Sequence, residues 1–299
     1  MVTPPKCGTT WTQELAWLVT HSADTASVTV PLTKRSPWVE SPLHFGKKEA
    51  EVEKYLADVE AWPSPRVIKT HLPLELLPSA LATTGKVIFV FRNVRDQAVS
   101  YYHHERLFAH NGLKTEQFTE YARQICRPGL QAYGDYWAML GSCWARRNQS
   151  NVLFLWYEEI KADQSIIIRQ IARLAGVKLT DEQVEDIDQT MQFSNYQQVS
   201  TVNQADRVEK GLWLAGRGQF VRKGEVGDHV NHFTPELTEE WNLWCEESLD
   251  KLGIKDQRVQ ALFFGSPKST AIREGEAGVI QQMMTEKDCP KLSPPPGLK

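Results

Sequence analysis

Three short runs of apolar residues, rich in β-branched and aromatic types, stand out along the chain. They are "RVIK" at 66–69, "KVIFVF" at 86–91 and "NVLFLWY" at 151–157. Runs of this length without polar alternation are typical of strands that are buried on both faces of a parallel sheet. The pattern therefore predicts three parallel strands.

Amphipathic patterns follow these runs and predict helices. In "DQSIIIRQIARLAG", which starts at Asp163, the apolar residues share one face, and Gly176 suits a left-handed C-cap. In "TPELTEEWNLWCEESLDKLG", Thr234 is the expected N-cap, Pro235 takes the first helical position and Gly253 ends the helix. The alternation predicts an α/β fold: a single domain with a central parallel sheet flanked by helices, and with ligands at the carboxyl ends of the strands.

The periodic pattern weakens near residue 264. The segment "CPKLSPPPGLK" at 289–299 is rich in proline and has no amphipathic period. Such composition buries little apolar surface and seldom packs firmly. We therefore predict one domain over 1–264 and a loosely ordered tail over 265–299.

Composition narrows the classes of protein. A chain of 299 residues that is 41% hydrophobic can bury a large core, and its formal charge of −3 argues against binding nucleic acid through overall positive charge. There is no long apolar run and no charged-then-apolar leader, so we expect no membrane span and a cytoplasmic location. The five cysteines lack the spacing of a metal site, so we expect reduced thiols and no metal. They are Cys7, Cys126, Cys143, Cys245 and Cys289.

The segment "PPKCGTTW" at 4–11 has the composition of an anion-binding loop. Gly8 allows close approach of the backbone, Thr9 and Thr10 offer N–H groups and hydroxyls at a helix start, and Lys6 adds a charge. The same residues could merely cap the helix, and the tripeptide alone does not separate these readings. Lys6 precedes the glycine, so the segment does not match the nucleoside triphosphatase pattern GxxxxGK[ST].

Four segments in order resemble the cytosolic sulfotransferase family, whose members transfer a sulfuryl group from 3′-phosphoadenosine 5′-phosphosulfate (PAPS) to hydroxyl or amine acceptors. They are "PPKCGTTW" at 4–11, "PRVIKTHLPLELLP" at 65–78, "VFRNVRDQAVSYYHH" at 90–104 and "RKGEVGDHVNHFT" at 222–234. The last resembles the family signature RKGxxGDWKNxFT. The resemblance implies a P-loop-like phosphosulfate loop and PAPS as co-substrate, without a metal.

The resemblance also implies roles for individual residues. His71 would be the general base, Lys69 would reach the transferring group, and Lys6 would neutralise the leaving phosphate. The implied 5′-phosphosulfate and adenine contacts are Lys6, Cys7, Gly8, Thr9, Thr10 and Trp11, with Tyr157, Met191 and Phe193 at the adenine. The implied 3′-phosphate contacts are Arg92, Ser100, Arg222, Lys223 and Gly224.

Two sets of residues are open to more than one interpretation. Several aromatic residues fit either an apolar acceptor site or the core. They are Trp38, Phe45, Tyr101, Tyr133, Tyr136 and Trp137. His103 and His104 could line the acceptor site, but the pattern slightly favours a solvated helix face.

The chain departs from the family pattern in three places. Only "MVT" precedes the loop, so we expect the strand that delivers it to be cut short. His229 and Val230 stand where the signature has Trp and Lys, and "MQFSNY" at 191–196 lacks the family's Thr-Ser before Phe193. Val230 and Pro235 also alter the family's dimer motif, so we expect a monomer.

The favoured hypothesis is a sulfotransferase that acts on a small apolar acceptor: a phenol, alcohol, steroid or monoamine. The alternative is a PAPS-binding pseudoenzyme or an inactive fragment of the same fold. A P-loop kinase would need a lysine after Gly8 and acidic residues for magnesium, and neither is in place. Elimination could follow transfer, because a sulfate ester is a good leaving group.

Overall fold

The computed structural model describes residues 1–78, 85–109, 117–126, 133–199 and 206–265. The predicted tail falls almost wholly at 266–299, outside the described residues. The two strands are β1 (Val87–Phe91) and β2 (Val152–Trp156).

Thirteen α-helices lie in the described part of the chain. They are α1 (Thr9–Thr20), α2 (Ser41–His44), α3 (Glu49–Glu60), α4 (Val94–Glu105), α5 (Phe118–Ile125), α6 (Tyr136–Trp144), α7 (Tyr157–Ala162), α8 (Gln164–Ala175), α9 (Asp181–Met191), α10 (Phe193–Tyr196), α11 (Asp206–Glu209), α12 (Pro235–Lys251) and α13 (Gln257–Phe264). Short 3-10 turns occupy Thr25–Thr29, Leu32–Lys34, Leu74–Leu76 and Asp228–Asn231.

Strands β1 and β2 pair in parallel along their whole length. Single parallel bridges extend this sheet on the far side of β1. Val2 bridges both Phe89 of β1 and Thr70, and Trp38 bridges Lys69. Residues 1–3 therefore lie between β1 and the segment that contains Thr70, and the segment around Trp38 is outermost.

The predicted strands at 86–91 and 151–157 are confirmed, each within a residue of its predicted ends. The strand predicted at 66–69 is wrong, because in this region only Lys69 and Thr70 form bridges. The physical reason is that its neighbours contribute one bridging residue each, Trp38 and Val2, so a continuous ladder cannot form.

Apolar clusters cover both faces of the sheet, which confirms the α/β fold. Val87, Phe89 and Phe91 pack with residues of α4, α6, α12 and α13. Ile88 and Val90, which point the other way, pack with residues of α1, α8 and α9. This alternation within a fully apolar strand is the signature of a sheet buried on both sides.

The predicted helix ends are confirmed at α8 and α12. Asp163 caps α8 by accepting from the Ile166 N–H, and Gly176 beyond its last residue has a φ of 75°. Thr234 caps α12 by accepting from the Leu237 N–H. No helix of the described ranges is long and apolar enough to cross a membrane.

Candidate active site

The predicted anion-binding loop follows directly after residues 1–3 of the sheet. Gly8 is the N-cap residue of α1 with a φ of 92°, in the left-handed region that favours glycine. A Cβ atom at this position would lie 2.7 Å from Cδ2 of Tyr157. The backbone at the start of α1 can therefore approach Tyr157 only because residue 8 lacks a side chain.

Four cations surround the space in front of this loop. Lys6 lies with its Nζ atom 4.2 Å from the centroid of the Phe220 ring. Burial, together with repulsion from Arg92, Lys69 and Arg222, lowers the pKa of Lys6 to about 7. Cations that repel one another in the free protein create a site that a polyanion stabilises.

Arg92 directly follows β1, and its side chain reaches the loop that follows Arg222. Its Nη2 atom donates to the Glu225 carbonyl at 2.7 Å, and its guanidinium lies 4.3 Å from the Tyr157 ring centroid. Among the described residues its buried Nε atom has no hydrogen-bond partner. A buried guanidinium N–H without a partner is suited to an anion.

The basic loop is held in place by Asp228. Arg222 and Lys223 donate to its two carboxylate oxygens at 2.5 and 2.7 Å. Although burial opposes the shift, hydrogen bonds from Lys223, Arg222 and Asn231 hold the pKa of Asp228 well below its usual value. The two cations are therefore oriented before any anion binds.

Helix α4 joins this loop through Asp96 and carries the predicted Ser100, which is partly buried. Asp96 accepts from the N–H groups of Gly227 and His229 and contacts the His229 ring at 2.8 Å. His229, which departs from the signature, thus contributes a polar link between α4 and the loop. Val230 beside it is 69% exposed.

Aromatic side chains border a groove beside the loop. The rings of Trp11 and Tyr157 meet edge to face at 5.7 Å, and a Cβ atom at Gly224 would overlap the Phe193 ring. The Lys161 ammonium lies 5.7 Å from the Trp11 centroid and 5.4 Å from the Phe193 centroid. Trp11, Lys161 and Phe193 line an open groove with a volume of about 260 Å³. Sequence reasoning missed Lys161, which no motif marks.

Three predicted contact residues have side chains that are buried in the protein. Met191 is fully buried in the apolar cluster with α1 and α8, and Cys7 is fully buried beneath the loop. The Thr9 hydroxyl lies 2.5 Å from the Thr3 hydroxyl. Of these three residues, the structure leaves only main-chain groups to face a ligand.

His71 lies next to this space, directly after the bridging residue Thr70. Its Nδ1 atom is 2.8 Å from the Thr3 carbonyl oxygen, and its main-chain N–H donates to Glu40 at 2.5 Å. A carbonyl can only accept, so Nδ1 carries the proton and Nε2 keeps its lone pair. Burial and the nearby Lys69 hold the pKa of His71 well below its usual value.

Aromatic residues surround His71. The Trp38 and Tyr133 rings lie 5.7 and 5.2 Å from the imidazole, and the Tyr133 hydroxyl is 2.8 Å from His44 Nδ1. The Lys69 ammonium lies 4.7 Å from the Trp38 centroid. Burial lowers the pKa of Lys69 to about 8, although Glu40 opposes this shift.

The expectation that His104 occupies a solvated face is wrong. Its ring lies 5.2 Å from Phe108 and 5.5 Å from Phe220, and its buried Nδ1 has no hydrogen-bond partner within the described ranges. Three of the aromatic candidates, Tyr101, Tyr136 and Trp137, instead belong to the apolar core of the sheet. Their helical spacing was compatible with either environment.

Comparisons with known proteins agree with this geometry. The family model described as "Sulfotransferase domain" matches residues 1–253. The chain is 29% identical to luciferin sulfotransferase of Photinus pyralis over 285 residues, which cover 89% of this chain and 75% of that protein. It is 32% identical to sulfotransferase 1C2 of Oryctolagus cuniculus over 240 residues, which cover 78% and 76% of the two chains.

Among solved structures, retinol dehydratase in complex with androsterone and the inactive cofactor PAP is similar, with a TM-score of 0.77 and 28% identity. The match covers 86% of this chain and 82% of that one. Fold and site thus define an α/β group-transfer enzyme whose anion-binding loop follows a central segment of the sheet, at its carboxyl end. The chain belongs to the sulfotransferase family and is a PAPS-dependent sulfotransferase.

The site fits PAPS, which carries a phosphosulfate, a 3′-phosphate and an adenine. The unpartnered Nε of Arg92 and the cations around Lys6 suit the anionic groups, and the groove beside Trp11 suits a flat base. Within the described residues, no group of three His, Cys, Asp or Glu side chains could hold a metal ion.

Proposed function

We propose that this enzyme sulfates a hydroxyl or amine group of a small apolar acceptor, with His71 as the general base. The observation that carries the proposal is the contact between His71 Nδ1 and the Thr3 carbonyl. It fixes the tautomer in which Nε2 can accept a proton, and the low pKa keeps the imidazole neutral at physiological pH.

The remaining residues of the site would bind and orient the reactants. When bound, PAPS supplies the sulfuryl group and a phosphate leaving group. Lys6 and Lys69 place positive charge beside the loop, where negative charge develops during transfer. Arg92, Arg222 and Lys223 would hold the 3′-phosphate, and Trp11 and Phe193 would border the base.

For the acceptor we propose a compound with a flat apolar ring system, such as a phenol or a steroid. Trp38 and Tyr133 beside His71, and Phe45 next to Trp38, support this, because aromatic surfaces favour ring stacking. One relative is named luciferin sulfotransferase, and the similar structure of retinol dehydratase contains androsterone. Aliphatic alcohols and monoamines remain part of the proposed class.

The proposed domain covers 1–264, and the proposed location is the cytoplasm, as the name of a plant relative, cytosolic sulfotransferase 5, suggests. We also propose a monomer. Val230, at the altered dimer motif, is exposed and offers no charge. Sedimentation at micromolar concentration should give the mass of one chain, and a dimer that persists on dilution would contradict this.

The test of function is His71→Ala, assayed with labelled PAPS against phenols, steroids, retinoids and monoamines. Loss of the general base should lower kcat by about 10²- to 10⁴-fold. The affinity for adenosine 3′,5′-bisphosphate (PAP) should stay within a few-fold of the wild-type value, because His71 faces the acceptor. Wild-type turnover in this variant would remove His71 from the mechanism. Product analysis distinguishes a sulfate ester from an eliminated product.

A further inference from the structure

Glu40 is a buried acid that the sequence motifs do not mark. It ends a segment that runs beside the one carrying His71, since the Val39 N–H donates to the Lys69 carbonyl at 3.1 Å and the Lys69 N–H donates to Pro37 at 3.0 Å. Only 3% of its surface is exposed. Its carboxylate is thus enclosed beside two residues of the proposed catalytic machinery.

We propose that Glu40 is a positioning residue for sulfuryl transfer: its carboxylate anchors the backbone of His71 and lies at the end of the segment that pairs with Lys69. This inference rests on the proposed roles of His71 and Lys69. One buried acid would then set the position of the base and the charge of the neighbouring cation.

The anchoring role follows from the hydrogen bonds of His71. Its main-chain N–H has no strand partner and donates to Glu40 Oε1 at 2.5 Å. Its ring is held separately by the Thr3 carbonyl at 2.8 Å. The imidazole is therefore fixed at the backbone by Glu40 and at Nδ1 by Thr3, and both contacts are needed to hold Nε2 at one point.

A purely structural role as a helix cap does not explain this carboxylate. Glu40 occupies the N-cap position of α2, but its side chain makes no capping hydrogen bond. Its second oxygen, Oε2, is buried and has no hydrogen-bond partner among the residues that the structure describes. A buried carboxylate oxygen without such a partner is costly unless a nearby charge compensates it.

Lys69, whose main chain pairs with the segment that ends at Glu40, is one of the groups on which this charge acts. The carboxylate of Glu40 acts electrostatically on Lys69, His44, Tyr133 and the amine of Met1. Burial lowers the pKa of Lys69 to about 8, Glu40 opposes the shift, and Arg207 adds to it. Without the negative charge of Glu40, a smaller fraction of Lys69 would be protonated at neutral pH.

The first test compares Glu40→Gln with Glu40→Ala. Glu40→Gln keeps an acceptor for the His71 N–H but removes the charge. In the pH profile of kcat/KM for PAPS, the alkaline limb should therefore lie at a lower pH than in the wild type. Glu40→Ala removes both contributions and should also lower kcat by about ten- to a hundred-fold. The matched control is Glu53→Gln, an exposed acid on α3, which should leave the profile unchanged.

Two further measurements separate positioning from loss of structure. PAP should raise the melting temperature of Glu40→Gln as much as that of the wild type. In a Lys69→Arg background, where residue 69 stays charged, Glu40→Gln should no longer move the alkaline limb of the profile. A wild-type profile and kcat in both Glu40 variants would overturn the proposal, as would an equal pH shift in the Lys69→Arg background.

The same assays keep this inference distinct from the proposed function. If His71→Ala retains turnover, the role of His71 as base fails, and with it the premise for Glu40. If His71→Ala is inactive while Glu40→Gln and Glu40→Ala behave as the wild type, only the Glu40 inference fails.

Discussion

The proposed nucleotide side of the site lies on short loops at the ends of sheet segments, whereas the proposed acceptor side is lined by side chains from distant parts of the chain. On the nucleotide side, Gly8 and Gly224 bring main chain directly against aromatic rings. On the acceptor side, the rings of Trp38, Tyr133 and His104 come from separate loops and helices.

This difference explains which part of the site can vary. Main-chain contacts depend on local conformation, so a few glycines and cations can form the nucleotide site whatever side chains surround them. A wall of side chains changes with each substitution while the sheet beneath it stays the same. Nucleotide specificity and acceptor specificity should therefore respond to different mutations.

The largest expected effect on the nucleotide side is that of Arg222→Ala. Losing a charge-assisted hydrogen bond costs about 1.5–3 kcal/mol, so PAP affinity should fall roughly ten- to a hundred-fold. Affinity for AMP, which lacks the 3′-phosphate, should hardly change. The control is Arg169→Ala, which also removes an arginine paired with an aspartate, Asp181. If calorimetry shows that Arg222→Ala weakens PAP and AMP binding equally, Arg222 supports the structure and does not recognise the 3′-phosphate.

Gly224→Ala tests whether main chain shapes the adenine border. Gly224 and Gly253 both have a φ of 65°, but only at Gly224 would a Cβ atom meet a side chain, the Phe193 ring. Both alanine variants should lose about 1 kcal/mol of stability from the left-handed conformation, and Gly224→Ala must in addition displace the Phe193 ring. Only Gly224→Ala should also weaken PAP binding, by roughly ten-fold, since displaced stacking costs about 1–3 kcal/mol. Equal PAP affinity in the two variants would contradict the assignment.

The pH dependence of binding tests the role of Lys6. Its pKa in the free protein is about 7, so it loses its charge as the pH rises through neutrality. Binding of an anion favours the charged form, so PAP affinity should fall as the pH rises, by up to roughly ten-fold per pH unit above the pKa. Lys6→Arg stays charged and should lose this part of the dependence. Other groups titrate in both proteins. If PAP affinity falls with pH equally steeply in the wild type and in Lys6→Arg, Lys6 is not the group responsible.

The smallest expected effect is a change in KM for the acceptor, caused by a substitution on the proposed acceptor side. His104→Phe keeps an aromatic ring but removes the buried, unpartnered Nδ1 atom. Because an apolar acceptor gains nothing from that atom, its KM should fall by about two- to five-fold, with PAP affinity unchanged. His21→Phe, a histidine stacked on Trp17, is the control and should change neither quantity. A KM that rises would mean that the acceptor bonds to His104.

Local patterns were sufficient for the elements that form by local rules. The apolar runs at β1 and β2 and the caps Gly176 and Thr234 were readable because strand burial and capping depend on nearby residues. The run at 66–69 failed as a strand because its ladder depends on partners far along the chain. The same limit applies to Tyr136, whose apolar surface gave no indication of core or pocket.

From its sequence alone, the chain's α/β class, its anion-binding loop and its sulfotransferase family could be inferred, since these depend on short motifs whose chemistry is local. Only the tertiary structure could decide which cations lie near Lys6 and which ring nitrogen of His71 carries the proton. It also showed that the Glu40 carboxylate binds the main chain of His71. Those properties arise from burial and from distances between segments that lie far apart in the sequence, such as those of Lys6 and Arg222. No local pattern encodes them.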